Sequence, residues 1–254
     1  MFKKSKKYKI GMALSGGGAR GYAHLGILKA LKEKGIVPDA ISGTSAGAIA
    51  GAFISAGKEP EEAFEIIKGY RFFDLKTIRF PRSGLFSLDK IKDSIEKELA
   101  YDRIENLPIP LFIAATDMLE GKMEYFSEGP LSHAVQASSS IPVLFSPVEI
   151  KGKLYSDGGV LDNLPLEPLI NCCKKTIIIN ISPIRPVKEI KNLVQVATRM
   201  FQLSINARDS EKKERCNFYI EPPEMERYDI LDTKYAREIF DTGYNYAKDL
   251  EVAL

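Results

Sequence analysis

Short apolar runs and stretches with a helical repeat alternate along this chain, an order that predicts a layered α/β protein. Residues 8–14 form a first apolar run that ends in Ser15 and a cluster of glycines, and a helical pattern carrying Leu25, Leu28 and Leu31 follows. A second strand at 40–42 leads into helices over 46–56 and 60–68. A further helix over 87–99 places Leu88, Ile91, Ile95 and Leu99 on one face, with Ser87 as its cap. The run at 111–117 is almost wholly apolar, as an interior parallel strand covered on both faces should be. Residues 122–126 and 148–155 read as shorter strands, the latter folding back about Lys151-Gly152-Lys153. A second central strand is expected at 176–181 and an edge strand at 216–220. One long helix over 189–215 sets Leu193, Val196, Met200, Leu203 and Ile205 on its apolar side, read as core cover with a dimer contact as the alternative. The architecture expected is a three-layer α/β/α fold with a mostly parallel central sheet. No repeat or linker divides residues 8–254, which read as one domain behind a basic tail at 1–7.

Candidate chemistry concentrates where the first two strands end. Gly43-Thr44-Ser45-Ala46-Gly47 places a serine between two glycines at a strand-to-helix turn, the pattern of a nucleophile elbow. The loop Ser15-Gly16-Gly17-Gly18-Ala19-Arg20-Gly21 joins the first strand to the first helix and offers backbone N–H groups to a phosphate or an oxyanion. Gly16, Gly18 and Gly21 satisfy GxGxxG. A dinucleotide site, however, asks for an acid at the end of the second strand, and that strand ends in the serine elbow, with Asp39 at its other end. An oxyanion hole beside the elbow is the better reading. The histidines do not complete a triad: only His24 and His133 exist, none follows in the late position a hydrolase of the Ser, acid, His order requires, and both read as structural. Asp157, at the end of a short strand and followed by Gly158 and Gly159, is the remaining candidate for a base, although Asp-Gly also suits a simple hairpin turn.

Taken in order, the glycine loop, the elbow and the Asp-Gly-Gly turn resemble the patatin-like phospholipases, and the likeness continues through Leu161-Asp162-Asn163-Leu164-Pro165 and a closing helix containing Ala236-Arg237-Glu238-Ile239 and Gly243-Tyr244. This resemblance implies a Ser–Asp dyad of Ser45 and Asp157. It assigns Gly16, Gly17, Gly18, Ala19, Arg20 and Gly21 to the oxyanion hole, Gly43, Thr44, Ala46 and Gly47 to the elbow, and Gly158 and Gly159 to the acid's turn. The activity implied is hydrolysis of lipid carboxyl esters through an acyl-serine, with no cofactor and no metal. A lipid-binding or regulatory protein of the same fold with little turnover is the alternative. Arg20 either fixes the loop or meets a lipid phosphate.

Composition narrows the partners. The chain has 254 residues, 44% hydrophobic and 28% charged, enough for a packed core, and a net charge of +2 gives no case for nucleic acid. Cys172, Cys173 and Cys216 form neither a disulfide framework nor a zinc pattern, which suits a reducing, cytoplasmic setting. Residues 71–86 interleave cations, Arg79 and Arg82 among them, with Phe72, Phe73 and Phe80. Such a mixture fits contact with lipid at a membrane surface as well as it fits aromatic packing under a loop. The lysines of the tail are a solvated end or a weak attraction to anionic headgroups. Oligomeric state leaves no signal in the sequence.

Overall fold

The computed structural model describes residues 7–70 and 88–252, apart from 185, 188, 192, 207 and 208. Phe72, Phe73, Arg79, Phe80 and Arg82, expected to contact lipid, and Ser87, expected to cap a helix, lie outside the described residues.

Strands β1 (Tyr8–Leu14), β2 (Ala40–Thr44), β3 (Leu111–Asp117), β7 (Cys173–Ile179) and β8 (Phe218–Ile220) run parallel in the order β3-β2-β1-β7-β8. Antiparallel β4 (Lys122–Phe126) and β6 (Lys153–Asp157) both pair with β3, and β5 (Val148–Ile150) closes the far edge against β6. The sheet is therefore mixed but mainly parallel, as an α/β chain with helical crossovers must be. Lys151 and Gly152 both have positive φ, 52° and 77°, and form the two-residue turn that joins β5 to β6 with the right twist. β8 is an edge strand, as expected.

Alternation along the strands divides the core in two. Met12, Leu14, Ile41, Ile113, Ile177 and Ile179 face one side. There they meet α1 (Tyr22–Glu33), α2 (Ala46–Ser55), α3 (Pro60–Tyr70), α4 (Asp89–Glu98), α5 (Leu131–Ser138) and α9 (Ala236–Asp249). Ala13, Ala40 and Ile178 face the other side, where Leu164, Leu166 and Leu169 from the segment around the short α6 (Glu167–Ile170) cover them. That second layer is thin. Arg215 of α8 (Asp209–Arg215) pairs with Glu167, and Lys212 pairs with Asp162 and donates to the Leu164 carbonyl at 2.7 Å, which ties α8 over the same face.

The expected helix over 189–215 departs from the prediction. Its described residues form α7 (Leu193–Asn206) and α8, and of the five residues expected on the covering side only Ile205 is buried: Leu193 is 76% and Met200 61% exposed, with Val196 and Leu203 exposed too. The helix is docked through Ile205 and Phe201 instead. Both sides of the helix carry apolar residues, so the repeat alone gave no means of choosing between them.

Candidate active site

The register of the parallel strands assembles the site. Leu14 pairs with both Gly43 and Ile179, so the residues after β1, β2 and β7 emerge side by side at the carboxyl edge of the sheet. Ser45 sits at the sharp turn between β2 and α2 with φ 53° and ψ −117°, a strained conformation for a residue with a side chain. Its N–H is held by the Ser138 hydroxyl at 2.9 Å. Gly47 is required next door, because a Cβ there would collide with the Leu14 carbonyl and α2 could not lie so close to β1. Thr44 donates from its hydroxyl to the Asp162 carbonyl at 3.0 Å, joining the elbow to the segment beyond Asp157.

Asp157 arrives from the other direction. β6 pairs with β3 so that Asp157 lies opposite Ala115, one residue beyond the pairing of Thr44 with Ala114. No hairpin forms at Asp157-Gly158-Gly159. The aspartate instead caps a 3-10 turn, its Oδ1 accepting the Gly159 N–H at 2.8 Å. Oδ2 has no hydrogen-bond partner of ordinary length among the described residues. The carboxyl group is 0% exposed, and burial raises its pKa to about 7 against the smaller opposing effects of the Gly159 N–H and the Ser45 hydroxyl. An ordinary aspartate would be too weak a base at neutral pH, whereas this one is matched to it.

The glycine loop is clamped at several points. Gly16 donates its N–H to Asn163 Oδ1 at 3.0 Å, and its carbonyl accepts the Ser15 hydroxyl at 2.9 Å and the Ser182 hydroxyl at 2.6 Å. The Ala19 N–H goes to the Ile230 carbonyl at 2.8 Å and the Arg20 N–H to the Gly17 carbonyl at 3.2 Å. Among the described residues, the N–H groups of Gly17 and Gly18 have no acceptor. Gly18 has φ +57°, and a Cβ on it would strike the Ile230 carbonyl. The guanidinium of Arg20 is committed to backbone: it donates to the Tyr228 carbonyl at 2.9 Å and the Pro183 carbonyl at 3.1 Å.

The histidines lie apart from this chemistry. His24 is fully buried and donates from Nε2 to the Ser15 carbonyl at 2.8 Å; desolvation lowers its pKa to about 4, so it is neutral and braces the loop from behind. His133 lines a separate cleft with Glu96 and Arg103. Among the described residues, no group of His, Cys, Asp and Glu could hold a metal ion.

Ser45, Asp157, Gly16, Gly17, Gly18 and Asn163 all open onto one cavity of about 180 Å³. Its outer wall comes from Ile184, Val187, Arg199, Phe201 and Ile205, and from residues 226–230. Sequence reasoning had quoted Asn163 without giving it a role and had missed Ser182 and Ile230. The one available signal was the polar pair Asp162-Asn163 set between leucines before Pro165.

The sequence model described as patatin-like phospholipase matches residues 12–170. An uncharacterized NTE family protein of Mycobacterium tuberculosis is 38% identical over 167 residues, which cover 65% of this chain and 46% of the relative. Lysophospholipase NTE1 of Kluyveromyces lactis is 28% identical over 273 residues, 94% of this chain but 19% of the yeast protein. The chain thus spans less than half the length of these relatives. Among solved structures, VipD from Legionella pneumophila superposes with a TM-score of 0.53 at 19% identity, over 95% of this chain and 66% of VipD, a likeness of fold.

Proposed function

The chain belongs to the patatin-like phospholipase family, and from that premise we propose that it is a serine acyl hydrolase that cleaves lipid carboxyl esters with Ser45 as nucleophile and Asp157 as base. The observation that carries this reading is the Asp157 carboxyl: wholly buried, fixed through one oxygen by Gly159, with the other unpartnered beside a serine at a strained elbow. Ser45 Oγ attacks the ester carbonyl while Asp157 Oδ2 takes its proton. The N–H groups of Gly17 and Gly18 hold the oxyanion of the tetrahedral intermediate. As that intermediate collapses, Asp157 returns the proton to the leaving alkoxide, and the alcohol departs from an acyl-serine. Water then attacks the acyl carbon and gives a proton to Asp157; collapse releases the fatty acid and Ser45 recovers its proton.

The name of the yeast relative, a lysophospholipase, makes lysophospholipids the first substrates to test. The site also needs none of the six loop positions except Gly17 and Gly18 as oxyanion donors; the other four support them. Labelling by a fluorophosphonate, located by peptide mass spectrometry, checks the assignment. The label should sit on Ser45 and be lost in Ser45→Ala with the melting temperature nearly unchanged. A label on another serine, Ser138 included, would sink the reading.

A further inference from the structure

Helix α7 is apolar on both sides. Phe201 and Ile205 turn toward the cavity, while Leu193, Val196, Met200 and Leu203, spaced for a single helical face, point to solvent. The segment that leads into the helix adds exposed Ile184, Val187 and Ile190. These seven residues make up most of the large exposed hydrophobic side chains among the described residues, and they come from one stretch of 20 positions, 184–203. Isolated exposed apolar residues need no explanation, but a contiguous set of this size marks a contact surface.

Three observations decide what covers it. First, the patch is continuous with the mouth of the catalytic cavity: Ile184 and Val187 belong to both. Strand register puts more exposed apolar residues at the same edge of the sheet, for Met118 and Leu119 directly follow β3 there. Second, the cavity of about 180 Å³ falls below the roughly 300 Å³ at which pockets begin to enclose a drug-sized ligand. It takes an ester and its neighbouring carbons, and the rest of a lipid stays outside. Third, among the described residues of the stretch the one acid, Glu189, is paired with Lys191 at 2.7 Å, which leaves the Arg199 cation at the mouth of the cavity. In a two-fold dimer through this face the same patch would meet itself and bring like charges together, whereas an anionic lipid surface complements them.

We infer that the outer face of α7 and the segment before it form the surface by which this protein docks on anionic lipid bilayers, with the cavity mouth presented to the lipid layer. The inference rests on the acyl hydrolase reading for its substrate, but the surface is tested independently of it. Leu193→Ser with Met200→Ser alters two exposed side chains that do not line the cavity, and the double variant should fold as the parent does. Sedimentation with phosphatidylcholine vesicles containing phosphatidylglycerol should show the parent bound and the variant weaker by on the order of a hundredfold, tenfold for each side chain. Binding to pure phosphatidylcholine should be weaker for both proteins. Hydrolysis of a short soluble ester should be the same in the two. Equal vesicle binding by parent and variant would overturn the proposal, and so would a parent dimer that the substitutions make monomeric in the absence of lipid. Were neither protein to hydrolyse the soluble ester while vesicle binding still followed the substitutions, the catalytic reading would fail and the docking surface would stand.

Discussion

Replacing Asp157, the base proposed above, should make the protein slower and more stable at once, and the stability gain should depend on pH in a defined way. Asp157→Asn keeps the shape of the side chain and the acceptor for the Gly159 N–H, but it cannot take a proton. Loss of general-base catalysis should cost on the order of 10²-fold or more in kcat. The stability argument follows from the raised pKa. Below the ordinary aspartate value of 3.8 the carboxyl is neutral in both folded and unfolded chains, and burial costs nothing through charge. Between 3.8 and about 7 the unfolded chain releases its proton while the folded one retains it, so stability falls as pH rises. Above 7 the folded protein carries a buried carboxylate. The gap of about three pKa units corresponds to about 4 kcal/mol, and an amide does not incur it. Urea unfolding of parent and variant at pH 4 and pH 8 measures this directly: similar stabilities at pH 4, and a variant more stable by up to about 4 kcal/mol at pH 8. If Asp157→Asn retained turnover, the base would lie elsewhere. If it gave no stability advantage at pH 8 relative to pH 4, the carboxyl would not be strained by burial and its fitness as a base would lose its physical footing.

Other predictions follow from the same geometry. The parent's kcat/KM for a soluble ester should rise with pH through a limb near 7, and His133→Ala should leave that limb in place, because the group titrating is Asp157. His24, held neutral with a pKa of about 4, costs the parent about 3 kcal/mol of stability as pH falls from 6.5 toward 4, against the opposite trend from Asp157; His24→Gln should gain on the parent in urea unfolding by about that amount between pH 6.5 and pH 4, and a constant difference between the two proteins would show that His24 is not the group responsible. Asn163→Ala leaves the buried Gly16 N–H without its acceptor and should cost about 1–3 kcal/mol in urea unfolding, with a fall in kcat from the loosened loop; full activity would mean that the clamp is dispensable. Gly47→Ala should destabilise by about 3 kcal/mol or fail to fold, since the obstacle is the Leu14 backbone, which cannot move aside as a side chain would; a melting temperature like the parent's would contradict the packing described.

What could be read from the sequence was local. The elbow, the glycine loop and the strands that carry them are written in contiguous residues, and parallel pairing of β1 with β2 brings the loop to Ser45. Asp157 was legible as an acid before two glycines, but its burial depends on β6 folding back onto β3, which no short pattern encodes. The clamps on the loop were invisible for the same reason: Asn163, Ser182 and Ile230 reach it from 147 to more than 200 positions away. The role of α7 was misread because amphipathic spacing identifies a helix and says nothing about which side meets the body when both are apolar.

Those distant clamps bear on how the protein comes into being. The residues matched by the family model, 12–170, include Ser45 and Asp157, yet the glycine loop is pinned by the Ser182 hydroxyl and by the backbone carbonyls of Pro183, Tyr228 and Ile230. During synthesis Ser45 and Asp157 therefore leave the ribosome well before the parts that hold the loop in shape. At about 5–20 residues per second the gap lasts several seconds. A nascent chain in that interval has Ser45 and Asp157 without the rigid cradle around them, so the proposed activity should switch on only after residue 230 has emerged. Nascent chains stalled with residue 230 inside and then outside the ribosome would display that delay as a step in fluorophosphonate labelling.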